Sequence, residues 1–224
     1  MSRTNKYFIV CVVVCACIFM GLVDAVIMPS YLIKSVIKIL LFLTLPLIYF
    51  AFSKDFEIKN HLIPTKNGFL YAILTGFLVF SLIIGAFFLL RDIIDFSNIA
   101  SSLVGNAGVN PSNFVWVSLY ISFVNSFLEE FFFRGFAFAV LKKSSERRFA
   151  YIFSSLAFSL YHIAMMIGWF DWYVLLLAIF GLTVGGMIFN YFNEKTENIY
   201  MSWLIHMFSN FAINTIGFIL FGMI

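Results

Sequence analysis

Long apolar runs, each closed by a short polar break, set the pattern of this chain. Seven of them, over residues 7–27, 31–52, 68–90, 114–141, 149–167, 172–192 and 199–223, are long enough to cross a bilayer as helices. About 20 residues rising 1.5 Å each cover the ~30 Å of hydrocarbon. The pattern predicts an all-α fold: a polytopic membrane helical bundle of about seven transmembrane helices, forming a single membrane domain over residues 1–224. The first run follows Arg3 and Lys6. It is longer than a signal core and lacks a small-x-small cleavage pattern, so it reads as a retained span. The second run carries Lys34 and Lys38 near its start, where both ammonium groups are expected to snorkel to the headgroups. It also carries Pro46, which should distort the helix.

Composition agrees with lipid as the solvent. Hydrophobic residues make up 62% of the chain and charged residues 11%, against about a quarter charged in soluble domains. The net charge of +3 is not gathered into one basic face, which excludes nucleic acid as a partner. Cys11, Cys15 and Cys17 all lie in the first run without a CxxC pair, and read as small buried hydrophobes. Ten of the fourteen basic residues fall at breaks on one side: Arg3, Lys6, Lys54, Lys59, Lys66, Lys142, Lys143, Arg147, Arg148 and Lys195. That excess marks the cytoplasmic side and puts the N-terminus there. The longest break, residues 91–113, falls on the outer side and reads as a flexible or interfacial segment.

Charged groups inside a span are costly and point to function. The fourth run holds Glu129, Glu130 and Arg134, the fifth His162, and the seventh His206 and Asn210. Glu130 and Arg134, four apart, share a helix face and can pair. Glu129 is turned about 100° from Glu130 and has no cation on its own helix, so an uncompensated carboxyl is expected there. His206 and Asn210, also four apart, aim the same way. Counted from the cytoplasmic ends, Glu129, His162, His206 and Asn210 lie ~18, ~20, ~10 and ~17 Å deep. These depths allow one shared cavity, entered from the cytoplasmic side.

Three motifs now stand in order: EExxxR at Glu129, Glu130 and Arg134; FxxxH at Phe158 and His162; and HxxxN at His206 and Asn210. Together they resemble the CPBP or Abi family of intramembrane proteases, the type II CAAX prenyl endopeptidase-like, bacteriocin-processing group. Gly135 and the stretch from Gly181 to Gly185 also fit that pattern. The resemblance covers roughly residues 114–215, leaving a motif-free N-terminal part (1–112) and a motif-bearing core (113–224).

The resemblance implies an intramembrane endopeptidase in which Glu129 and His162 activate water, and His206 and Asn210 stabilise the oxyanion. Glu130 and Arg134 would hold the helix in register, with Glu130 able to assist and Phe158 supporting the site. A metalloprotease alternative would use Glu129, His162 and His206 as zinc ligands; the metal-independent version is preferred, with no cofactor required. The expected partners are membrane lipid and a peptide or a prenylated or otherwise lipidated protein substrate, with a bacterial plasma membrane as the setting. A non-catalytic immunity or scaffold protein of the same fold, and a proton-coupled transporter, are the rival classes.

Overall fold

The computed structural model describes residues 3–53, 58–63, 66 and 68–224, and among them there is helix but no strand. Lys54, one of the ten residues of the orientation argument, lies outside the described residues. Helix α1 spans Arg3–Leu22 and continues in a π turn, Val23–Ile27. Helix α2 spans Tyr31–Phe52, with a π turn at Leu40–Thr44. That turn includes the carbonyl of Phe42, which Pro46 has no N–H to meet, so the expected distortion takes the form of a widened turn. A single turn, α3 (Ile58–His61), precedes α4 (Phe69–Leu90). The break over residues 91–113 contains a helix, α5 (Ser97–Ala107). Gly108 at φ 66° closes it, with the N–H groups of Gly108 and Val109 turned back to Val104 and Leu103. Helix α6 covers residues 114–144, α7 spans Arg147–Tyr161 with a separate turn at Ile163–Met166, α8 spans Trp172–Thr196 and α9 spans Ile199–Leu220.

Six of the seven expected spans are helices long and apolar enough to cross a membrane: α1, α2, α4, α7 with its following turn, α8 and α9. The exception is α6, which carries Glu129, Glu130 and Arg134. From Leu128 to Leu141 every residue of α6 is buried, so the inner half of this helix is solvated by the other helices rather than by lipid. Its sequence explains that position. Phe131, Phe132, Phe133, Phe136 and Phe138 are apolar all round the helix, and such a helix belongs at the centre. Phe42 from α2 stacks on Phe132 at 4.3 Å and meets Phe133 edge-on at 5.5 Å.

Around this axis the outer helices bury one stripe each. Helix α1 buries Ile9, Val13, Ala16, Met20 and Val23, spaced three and four apart as one helix face requires. That stripe leaves Cys11 and Cys15 on the opposite side, where they are exposed; they are not core residues as the sequence suggested. Lys6 lies 3.9 Å over the Phe149 ring, and Glu194 receives Arg147 at 2.6 Å and Lys142 at 3.4 Å. The basic ends of α1, α6, α7 and α8 thus form one face of the molecule, as the charge pattern required.

Helices α7 and α8 approach closely through Gly186, where a Cβ would meet the Ser155 Cα at 3.0 Å and the Arg134 Nη2 at 3.3 Å. Gly181 and Gly185, singled out from the sequence, face open space; one helical position decides which glycine packs. Gly186→Val is expected to lower stability by about 1–3 kcal/mol through overpacking. Gly185→Ala should be neutral or stabilising by up to ~1 kcal/mol through helix propensity. Thermal unfolding of the two variants in detergent checks both signs.

Candidate active site

The site is built on the middle of α6, where the short α-helical segment Ser126–Glu130 lies between two π segments, Tyr120–Asn125 and Phe131–Phe138. Each π segment widens the turn and shifts which side chains share a face, a device common at functional sites. Glu129 and Glu130 are both buried, at 1% and 0% exposure, and their carboxyls diverge into different surroundings.

Glu130 accepts an ion pair from Arg134 at 3.2 Å, one turn along the same helix. The guanidinium is wholly buried and lies 4.2 Å from the Phe158 ring and 4.8 Å from the Phe189 ring. Cation–π contact therefore replaces part of its lost hydration. The same Glu130 oxygen accepts from His206 Nδ1 at 2.9 Å, and Phe189 stacks on the His206 ring at 5.1 Å. The imidazole is fixed by a carboxylate on one edge and an aromatic face on the other.

Glu129 lies at the meeting point of four helices. Its Oε2 faces His206 Nε2 at 3.6 Å and His162 Nε2 at 3.7 Å, and accepts no protein hydrogen bond among the described residues. His162 stands just past the end of α7, at a one-residue interruption before the Ile163–Met166 turn that completes the expected span. The backbone N–H of His162 turns to Ser159 at 3.2 Å. The Phe158 carbonyl is instead met by His162 Nδ1 at 2.6 Å. A carbonyl only accepts, so Nδ1 carries the proton and Nε2 presents a lone pair towards Glu129. Phe158 thus serves twice, through its carbonyl on His162 and its ring on Arg134.

The other oxygen, Glu129 Oε1, is held by two donors that the sequence reading missed. Lys38 Nζ reaches it at 3.1 Å and Asn125 Nδ2 at 2.9 Å. Lys38 also donates to Asn125 Oδ1 at 2.6 Å, closing a three-membered network. Lys38 does not snorkel: it is buried, between the rings of Tyr161 at 5.1 Å and Phe42 at 5.8 Å. Lys34 likewise turns to Asp24 at 3.4 Å. Glu129 is therefore not uncompensated, and the motif-free N-terminal part contributes to the site. A buried carboxylate draws in a cation wherever one can reach, since leaving either charge bare costs several kcal/mol. The signals were present, in an Asn four residues before the Glu and a Lys inside an apolar helix.

Helices α6 and α9 run antiparallel, and a polar residue at every fourth position of α9 meets α6. His206 meets Glu130, Asn210 Nδ2 donates to the Ile121 carbonyl at 3.1 Å, and Asn214 Nδ2 donates to the Ser118 carbonyl at 3.1 Å and to Ser122 Oγ at 3.0 Å. Asn210 thus sits one turn along from the cluster, with one amide hydrogen engaged on α6. Among the described residues no group of three or more His, Cys, Asp or Glu side chains is arranged to hold a metal ion. The Lys38 ammonium on Glu129 would also repel a dication there.

Residues 111–212 match the family described as Type II CAAX prenyl endopeptidase Rce1-like, which agrees with the resemblance drawn from the three motifs. The matched segment holds Glu129, Glu130, Arg134, Phe158, His162, His206 and Asn210, and leaves Lys38 outside it. Neither the comparison with curated proteins nor that with solved structures gave a match.

Arg134→Met leaves Glu130 buried beside an apolar side chain, and is expected to cost about 3–5 kcal/mol of stability. The double variant Glu130→Gln with Arg134→Met should recover a large part of that loss. Thermal unfolding in detergent, with size-exclusion chromatography to follow the folded fraction, reads both.

Proposed function

We propose that this chain, whose residues 111–212 form an Rce1-like domain, is a membrane-embedded endopeptidase that uses water activated by Glu129 and His162 and needs no metal. One observation carries the reading: a buried carboxylate oxygen of Glu129 that accepts no hydrogen bond among the described residues has two imidazole Nε2 atoms, brought by other parts of the bundle, within 3.7 Å of it. A water there can donate one hydrogen to Glu129 Oε2 and the other to His162 Nε2. As the water oxygen bonds to the scissile carbonyl carbon, its proton passes to Glu129. The tetrahedral oxyanion then collapses, the C–N bond breaks, and the proton leaves with the amine.

The oxyanion needs N–H donors aimed at it. Asn210 has the amide hydrogen that it does not donate to Ile121. His206 supplies Nε2–H when it takes a proton from solvent before the substrate binds, and Glu130 on Nδ1 balances that imidazolium, a role a carboxylate fills in other hydrolytic sites. Arg134 and Phe158 hold Glu130 and His162 in place. The metal-independent version is supported by the ammonium on Glu129, which a zinc ion would have to displace.

The depth of the cluster in an apolar bundle supports a substrate that itself enters the membrane, a lipidated or apolar peptide segment. A bacterial peptide precursor fits the Asn-, Ile- and Phe-rich composition. A purely structural reading gives no use to an open carboxylate oxygen facing two imidazoles.

Purified protein in detergent micelles is assayed with two internally quenched peptides, one ending in a farnesylated cysteine motif and one with an unmodified apolar segment. Wild type should cleave at least one. Glu129→Gln and His162→Ala should each lose about 10³-fold in kcat or more, while keeping the wild-type elution profile. Cleavage should also survive dialysis against EDTA and 1,10-phenanthroline. A Glu129→Gln variant with full activity, or a wild type that cuts neither peptide, removes the protease reading; loss of activity to chelators, restored by zinc, removes the metal-free one.

A further inference from the structure

Lys38 is a buried ammonium brought to the site by a helix outside the matched segment, and the chemistry just described gives it no step. Its surroundings limit what it can do. Two of its hydrogens are committed, to Asn125 Oδ1 at 2.6 Å and Glu129 Oε1 at 3.1 Å, and the rings of Tyr161 and Phe42 cover it at 5.1 and 5.8 Å. With two of its three donors committed and aromatic rings on its flanks, its hydrogen bonds among the described residues all run to Glu129 and Asn125. It acts on Glu129 directly and through Asn125.

Asn125 acts on the same atom. Its Nδ2 donates to Glu129 Oε1 at 2.9 Å while its Oδ1 receives Lys38. Each member of the triangle is held by the other two, so the carboxylate plane cannot turn without breaking two bonds at once. The consequence falls on the other oxygen. With Oε1 occupied twice, Oε2 is left without a protein donor and faces His162 and His206.

We infer that Lys38 and Asn125 are positioning residues, a clamp that immobilises Glu129 Oε1 so that Oε2 remains the free, unprotonated base facing the two imidazoles. This rests on the protease reading of the same site. Without the clamp, Glu129 can rotate, or bond directly to a histidine, and the pocket loses its poised acceptor. A residue that only stabilises the bundle would lower the folded fraction and leave turnover per folded molecule unchanged. A positioning residue lowers kcat and spares KM, because it touches the base and not the peptide.

The test compares Lys38→Met, Lys38→Arg, Asn125→Ala and the Lys38→Met/Asn125→Ala double variant on whichever quenched peptide wild type cleaves, with kcat corrected for folded fraction. Lys38→Met should reduce kcat about 100-fold or more with KM within about twofold, and Lys38→Arg should recover at least about tenfold of that by restoring a cation. Asn125→Ala should lose about tenfold. The double variant should be no worse than about twofold below Lys38→Met, since both residues act on one oxygen and their effects are not independent. If Lys38→Met does not fold, the Asn125→Ala result decides. A kcat unchanged in Lys38→Met, or in Asn125→Ala where that variant decides, overturns the clamp, as does a full multiplicative loss in the double variant. Glu129→Gln measured alongside separates the two levels: if it is inactive while Lys38→Met is unimpaired, only the clamp fails, and if it is fully active, the protease reading fails first.

Discussion

A carboxylate that has left water must find a cation or a set of donors, and the arrangement of this bundle follows from how Glu129 meets that demand. Its own helix supplies Asn125, one turn before it, and no cation. The cation comes from α2, where Lys38 gives up the route to the headgroups to lie beside Glu129. Burying that lysine stem requires α2 to lie against α6, and the stacking of Phe42 on Phe132 is the apolar half of the same contact. A membrane helix gains little from apolar burial against another helix, because lipid is just as apolar. Charge pairing therefore sets which helices must touch, and aromatic packing refines how.

Two neighbouring glutamates resolve the same problem in different ways. Glu130 takes Arg134 and His206 on its Oε1, its Oε2 accepts no hydrogen bond among the described residues, and aromatic rings lie against the guanidinium. Glu129 is half open, with one oxygen saturated and the other facing two lone-pair nitrogens. His206 touches both carboxylates, Glu130 through Nδ1 and Glu129 through Nε2, so Glu130 orients the ring that Glu129 faces. A helix turns neighbouring side chains about 100° apart, which lets one dipeptide send its two carboxyls into different surroundings.

The polar contacts of α9 extend this logic along the bundle. His206, Asn210 and Asn214 follow one another at intervals of four and each meets α6. Such a ladder sets the vertical register between two helices in lipid, where apolar side chains alone would allow sliding. Fixing that register brings His206 level with both glutamates. Helix α7 is held by polar contacts too, Ser154 on the Phe133 carbonyl of α6 and Thr183 and Asn190 of α8 on Ser159 and Ser155, together with the small-residue contact at Gly186 and its own termination at His162. The break there leaves the Phe158 carbonyl to the imidazole and so fixes which nitrogen faces the site.

The amino-acid sequence by itself determined the class of fold, the residues of the three motifs and the shared face of the basic helix ends. Each of these depends on local periodicity: apolar run length, spacing of four on a helix, and the position of Lys and Arg at breaks. It also held the resemblance to the family that residues 111–212 match, because the motifs are short, ordered and borne on separate helices. The tertiary structure alone decided what lies next to what. A lysine near a helix end reads as snorkelling until another helix offers it a carboxylate, and no periodicity in α2 announces Glu129, 91 residues away. The choice of Gly186 over Gly185, the exposure of Cys11 and Cys15, and the engagement of Asn210 with the Ile121 carbonyl depend on rotation and register between helices. Those quantities are set by packing across the bundle, and a linear pattern of polar and apolar positions does not contain them.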